Sequence, residues 1–226
     1  SNKRTDSWGG SLENRARLLL EVVKAVRALV APSFCVAVKL NSADFQRGGF
    51  DAADAKQVVQ LLNQLDVDLV ELSGGSYEAP AMQGDARDGR TLAREAYFLE
   101  FAGEIAAVAR MPLMVTGGIR RLPVVEQVLA SGVAMAGIAT ALAINPALPK
   151  QWQAGQPSSA ELPPIRWKNK AFASLAYMAV VKFQLRQLSL GKRTHAQVSP
   201  LRALLLEQLK AARRTRHYKR LMAAAG

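Results

Sequence analysis

The chain has 226 residues, half of them apolar, which is enough to bury a substantial core and too many for a fold that depends on disulfide staples. Its one cysteine, Cys35, excludes a disulfide framework and a paired-thiol metal motif, so no metal site is expected and a reducing compartment fits. Its longest apolar run, residues 171–181, is about half of the roughly 18 to 20 residues that span a bilayer, so a soluble, cytoplasmic protein with no membrane partner is expected. There is no initiator Met, and residues 1–6 show neither a signal-peptide core nor a strand or helix pattern, so the chain reads as beginning within a longer protein.

The formal net charge is +12. Residues 1–150 carry 16 Lys+Arg and 16 Asp+Glu, whereas residues 151–226 carry 14 and 2, so the whole excess lies in the last third. A neutral body with a basic tail leaves the body free to be an ordinary enzyme.

Strand-like apolar runs alternate with helical spacing through the first 150 residues, the pattern of βα units and a parallel sheet. A first helix opens at the N-cap candidate Ser11, with Leu12, Ala16, Leu19, Val23, Val26 and Val30 recurring at three and four. A strand over 34–40, a helix over 51–65 and a strand over 68–73 follow. A long Gly-, Asp- and Arg-rich loop, 74–90, has the length of a functional loop and precedes a helix near 94–109. A strand over 113–116, a helix over 122–130 and a strand over 135–139 complete four strands. The segment 151–164, rich in Pro, Ser and Gln, reads as a linker or surface strap. Helices over 171–188 and 200–222 form the basic extension. The predicted domains are therefore 1–150 and 151–226.

Glycine pairs close the strands: Gly74-Gly75 after the second, and Gly117-Gly118 after the third. Strand C-terminal ends form the active face in barrels and the binding crevice in open α/β sheets. Glycine backbone lets amide groups approach an anion closely, and the short segment 140–145 offers a helix start nearby in sequence. Simple tight turns account for the glycines equally well. Period-two alternation in Cys35 to Leu40 sets Val36, Val38 and Leu40 against Cys35, Ala37 and Lys39. Lys39 is thus expected to point inward as a buried ammonium, needing a partner such as Glu71 on the neighbouring strand or an anionic ligand. A structural ion pair is the alternative to a cofactor contact.

The segment Asn2-Lys3-Arg4-Thr5-Asp6-Ser7-Trp8-Gly9-Gly10-Ser11-Leu12-Glu13-Asn14-Arg15 resembles the N-x-R-T-D-x-[YW]-G-G-S-x-x-N-R stretch of the old yellow enzyme family of NAD(P)H-dependent FMN oxidoreductases. Further similarities are Val38 to Phe45, Glu71-Leu72-Ser73-Gly74-Gly75, Glu95-Ala96-Tyr97-Phe98 and Val115-Thr116-Gly117-Gly118, in family order over about 150 residues. The resemblance implies an α/β fold: a partial (β/α)8 TIM barrel, about strands 5 to 8, with a basic helical C-terminal extension. It implies FMN at the strand ends and NADH or NADPH as reductant, with Lys39 as the cation near flavin N1. It places the amides of Gly117 and Gly118 at the FMN phosphate, together with Ala139 and Thr140. The family commonly has Arg where this chain has Thr140 and an acidic residue where it has Ala134. A hydroxyl donates one hydrogen bond and carries no charge, so weaker phosphate binding or another cation is implied.

The family's substrate-binding His/Asn pair and proton-donating Tyr come from segments not in this chain, leaving the catalytic residues unassigned. Arg4, Asp6 and Trp8 read as an ordering network. The expected activity is that of an ene-reductase-like flavoprotein acting on a small electron-poor alkene or enone. With half a flavin pocket and two open sheet edges, the chain is expected to retain FMN poorly, to be inactive alone, and to be able to self-associate as a homo-oligomer. Two rival readings are a phosphate-binding barrel lyase or aldolase using Lys39 as a Schiff-base nucleophile, and a nucleic-acid or anionic-surface binder acting through the tail. Nucleic acid is disfavoured because only Tyr218 is available there for stacking.

Overall fold

The computed structural model describes residues 2–44, 48–74, 99–195 and 197–224, with the side chains of 100 and 101 also left aside. The expected loop beyond Gly74, the start of the helix near 94, and the similarities at Phe45, Gly75 and 95–98 lie outside the described residues. Two compact units divide between Ile138 and Ala139.

The first unit is a parallel sheet in sequential order, β1 (Ala37–Asn41), β2 (Leu69–Ser73), β3 (Leu113–Thr116) and β4 (Met135–Gly137). Helices α1 (Leu12–Leu29), α2 (Ala52–Leu62), α3 (Leu99–Ala106) and α4 (Leu122–Ala130) alternate with the strands. This is the expected βα alternation. Ser11 caps α1 by accepting a hydrogen bond from the Asn14 amide (3.3 Å), and Asp51 caps α2 through the Asp54 amide (2.9 Å). Leu12, Ala16 and Val23 of α1, Ala55, Val58, Val59 and Leu62 of α2, Ala102 and Ile105 of α3, and Val128 of α4 share one core with Val38, Val70, Leu72, Leu113 and Val115 of the strands. At about 1.5 to 3 kcal/mol for each large aliphatic side chain buried, this layer dominates the unit's stability.

Several element ends differ from expectation for local reasons. The strand expected from residue 34 begins at Ala37 because the Arg27 guanidinium donates to the Phe34 carbonyl (2.9 Å), drawing it away from the sheet, and also to the Asp66 carbonyl (2.9 Å). The same guanidinium pairs with Asp68, whose carboxylate accepts the Val36 amide at 2.7 Å. That amide first, and Arg27 second, hold the Asp68 carboxyl below the usual carboxylate range. α2 stops at Leu62 because Asn63 turns its side chain elsewhere: its Nδ2 donates to the Val108 carbonyl (2.7 Å) and its Oδ1 accepts from the Arg110 amide (2.8 Å). β4 ends at Gly137 because Ala139 already caps a helix, its carbonyl accepting from the Ala143 amide (3.0 Å).

The second unit contains α5 (Thr140–Ile144), α6 (Leu148–Gln153), α7 (Lys170–Ser189) and α8 (Pro200–Ala224). The division expected at 150/151 would cut α6. Leu148 and Trp152 of that helix are buried, and the Trp152 indole donates to the Ser158 carbonyl (2.7 Å), tying down the start of the segment expected as a linker or surface strap. Thr194 donates to the Ile144 carbonyl (2.5 Å), fastening α5 to the return loop. The compact units part at 138/139, a boundary of packing that is distinct from the expected division of the chain by role. Gln184, fully buried, donates to the His195 carbonyl (2.7 Å) and accepts from the His195 amide (2.8 Å), folding the loop between α7 and α8 back along α7.

Replacing Gln184 by Leu removes both hydrogen bonds that hold the backbone of His195 to α7. A loss of about 1 to 3 kcal/mol in stability is expected, from roughly 0.5 to 1.5 for each hydrogen bond lost. Urea unfolding followed by circular dichroism measures it; a change under half a kcal/mol, the size of an ordinary surface substitution, would contradict the clasp.

Candidate functional site

Strand register sorts the side chains of the first unit into two faces. Leu40, Leu72, Val115 and Ala136 align in one row, and Val38, Val70 and Leu113 in another, on the face that the helices cover. On the opposite face Lys39, Glu71, Met114 and Met135 align in a single row across all four strands. The expected alternation is borne out in β1, where Val36 and Val38 are buried and Cys35, Ala37 and Lys39 are exposed.

Lys39 Nζ is hydrogen-bonded and ion-paired to Glu71 Oε1, the carboxylate partner anticipated on the adjacent strand. The expected burial of the ammonium does not hold: the Lys39 side chain is 59% exposed and that of Glu71 21%. More than half of the Lys39 side chain is open, so water reaches the pair. An exposed pair of this kind contributes little to stability, a median of about 0 to 1 kcal/mol, so the ammonium can turn to an incoming anion at small cost. Met114 and Met135 were not singled out from the sequence; extending the alternation of β1 through the register to β3 and β4 would have found them.

At the C-terminal strand ends, Gly117 (φ 136°) and Gly118 (φ 69°) follow β3 in succession, and Gly117 is buried while Gly118 is exposed. Side chains are strained at both angles, so only glycine turns the chain here without cost. The turn swings two consecutive backbone units out of the strand direction at the end where Thr116 donates from its hydroxyl to the Gly137 carbonyl (3.3 Å). Gly137 itself admits that contact, since a Cβ there would lie 3.0 Å from the Thr116 Cβ. Buried Ser42, at the end of β1, donates through both Oγ and its amide to the Ser73 carbonyl (2.7 Å each), locking the ends of β1 and β2 together. Ala139 and Thr140 belong to the second unit, where they open α5.

The N-terminal segment forms the ordering network expected of it. Arg4 Nε donates to Asp6 Oδ1 (3.0 Å), the Trp8 amide donates to the same oxygen (3.0 Å), and Asn2 Nδ2 donates to the Trp8 carbonyl (2.6 Å). Asn14 Nδ2 donates to the Gly9 carbonyl (3.0 Å), and Asn14 Oδ1 accepts from Arg17 (2.9 Å), whose guanidinium carbon sits 5.7 Å from the centre of the Trp8 ring. Hydrogen bonding from Arg4, reinforced by the Trp8 amide, lowers the Asp6 carboxyl from 3.8 to about 2. A carboxyl depressed by folding contributes its stability above its unfolded value and loses it as pH falls through the folded one, here from near 3.8 down to about 2. The Asp6 carboxyl carbon resonance is therefore expected to titrate near 2, and to move up toward 3.8 in Arg4→Gln. Titration near 3.8 in the parent chain would contradict the network.

Residues 1–159 match the model of the family described as NADH:flavin oxidoreductase / NADH oxidase. The chain is similar to the NADH-dependent flavin oxidoreductase iliE of Neonectria sp. (strain DH2), at 41% identity over 159 residues, covering 66% of this chain and 21% of that protein. Among solved structures it is similar to histamine dehydrogenase from Rhizobium sp. 4-9, with a TM-score of 0.58 and 25% identity over 69% of this chain and 22% of the other. It shares its fold with the old yellow enzyme homologue from Zymomonas mobilis, with a TM-score of 0.53 and 21% identity over 71% and 42%. The chain thus spans between about a fifth and two fifths of the length of these relatives. The parallel sheet and its helices correspond to part of a (β/α)8 barrel. On the match over residues 1–159, in agreement with the motifs it resembles, the chain belongs to the NADH:flavin oxidoreductase / NADH oxidase family.

Proposed function

We propose that the open face of the sheet holds FMN, and that the protein transfers hydride from NADH or NADPH by way of the flavin to a small electron-poor alkene or enone. The observation that carries this reading is the placement of Lys39, paired with Glu71, on the uncovered face of a sheet whose third strand ends in a glycine-only turn. These residues fit the group. The row offers one ammonium, one carboxylate already engaged by it, and two methionine side chains, which suit a flat, partly apolar ring that gains negative charge on reduction. The glycine turn suits a phosphate, because backbone without side chains can approach an anion closely.

Bound there, flavin would supply the two-electron carrier between nicotinamide and substrate. The work of this chain's residues is electrostatic and positional. Lys39 would set a positive charge beside the ring edge where reduction builds negative charge. Glu71 would hold the Lys39 side chain in one orientation and so act as a positioning residue. Met114 and Met135 would give the ring an apolar wall and keep water from it. Gly117 and Gly118 would turn their amides to the phosphate. The part of Ala139 and Thr140 in that phosphate site rests on the resemblance, and so does the division of the chain into a barrel portion, 1–150, and an extension, 151–226. An ammonium engaged by a carboxylate has no lone pair to offer a carbonyl, so the Schiff-base alternative for Lys39 has no observation in its favour.

Titration of the 226-residue chain with FMN, followed by quenching of flavin fluorescence, tests the reading. Saturable binding weaker than stoichiometric is expected, because the described sheet walls only one side of the ring. Lys39→Ala should weaken it at least tenfold, about 1.4 kcal/mol, while Lys39→Arg stays close to the parent. No saturation up to about 1 mM FMN, a limit of roughly 4 kcal/mol, or equal affinity in Lys39→Ala, would overturn it.

A further inference from the structure

The division into two units sharpens the separation of charge. Residues 1–138 carry 15 Lys+Arg and 16 Asp+Glu, a net −1, and residues 139–226 carry 15 and 2, a net +13. Within the second unit the cations concentrate on α8, where Lys210, Arg213, Arg214, Arg216, Lys219 and Arg220 follow one another with no acid among them.

The packing of α8 shows which of its sides is committed. Ala203 is buried against Ala179 and Val180 of α7, and Glu207 accepts from Lys182 of α7 (3.1 Å). Lys210 and Arg214 continue that side along a groove shared with Leu185, Arg186 and Leu190. At 3.6 residues per turn the opposite side is the stripe Leu201, Leu205, Leu209, Ala212, Arg216, Lys219 and Ala223, spaced four, four, three, four, three and four. Its three leucines are 56%, 56% and 59% exposed. Arg202, Arg213 and Arg220, all exposed, run along its edge. One free helix side thus begins in leucine and ends in cations.

We propose that this side of α8 lies on the surface of a bilayer rich in acidic phospholipid, with Leu201, Leu205 and Leu209 at the acyl boundary and Arg213, Arg216, Lys219 and Arg220 at headgroup phosphates. No described helix is long and apolar enough to cross a membrane. A helix lying in the interface buries apolar side chains at the acyl boundary and sets cations at the headgroups, and here the two follow one another along the same side. Each Lys or Arg near an anionic leaflet adds to the attraction. The proposal revises the expectation from the sequence that no membrane is a partner, and it is independent of the flavin reading because none of its residues lies in the first unit. A nucleic acid would engage the cations and leave three leucines in water, with Tyr218 the one aromatic side chain of α8. A second copy would bring like charges together.

Co-sedimentation of the full 226-residue chain with vesicles tests this, comparing phosphatidylcholine alone with phosphatidylcholine containing about a third phosphatidylglycerol. The expected result is binding to the anionic vesicles only, weakened by high salt as screening of charged contacts requires. Leu205→Gln with Leu209→Gln should reduce binding at least fivefold, and Arg213→Gln with Arg216→Gln and Lys219→Gln should abolish it. Both sets change exposed side chains, and circular dichroism checks that α8 stays helical. The proposal is overturned by absence of binding to anionic vesicles, by unchanged binding of the leucine variant, or by tighter binding to RNA that the leucine variant retains.

Discussion

A sheet of half-buried strands has two faces and, in the first unit, helices enough for one. The aliphatic rows Val38, Val70, Leu113 and Leu40, Leu72, Val115 close against α1 to α4, so every intervening residue must turn the other way. That constraint sets Lys39, Glu71, Met114 and Met135 side by side without any requirement on their own chemistry. A slip of one residue in register would bury the ammonium among aliphatic side chains, at a cost of several kcal/mol for an ion in an apolar interior. Register and candidate chemistry are therefore set by the same packing.

Much of this was legible in the amino-acid sequence. Alternation in Val36 to Leu40 identified the side of Lys39, and the apolar face of the following strand made Glu71 its natural partner. Ser11 announces the first helix through a side chain that can accept an amide, and it does so; Asp51 and Asn169, not singled out as caps from the sequence, cap α2 and α7 in the same way. The motif at residues 2–15 pointed to the family, which the match over 1–159 supports independently. What stayed hidden depended on distant partners. Nothing near Phe34 reveals that Arg27 will take its carbonyl, and nothing near residue 150 reveals that Trp152 will be held by Ser158. The exposure of Lys39 was missed because alternation tells which way a side chain points, not what stands beyond it.

The second unit shows the same limit. Its cations are plain in the sequence, yet their meaning depends on which side of α8 meets α7. Ala203 and Glu207 decide that, leaving the leucine and arginine stripe outward. Composition alone identifies a basic helical extension; packing shows a side in which exposed leucines and cations share one line. On the two proposals made above, the near-neutral sheet unit would serve a cofactor and the strongly basic helical unit an anionic surface.

The central claim is that the turn at Gly117 and Gly118 receives a phosphate while the Lys39 row faces the ring that carries it. Amide chemical shifts of the 15N-labelled chain, recorded on adding FMN, riboflavin or inorganic phosphate, separate those two contacts. FMN and phosphate should move the Gly117 and Gly118 amides while riboflavin leaves them in place, and both flavins should perturb β1 and β2 around Lys39 and Glu71. Shifts confined to α8, or glycine amides that respond equally to riboflavin, would contradict the account.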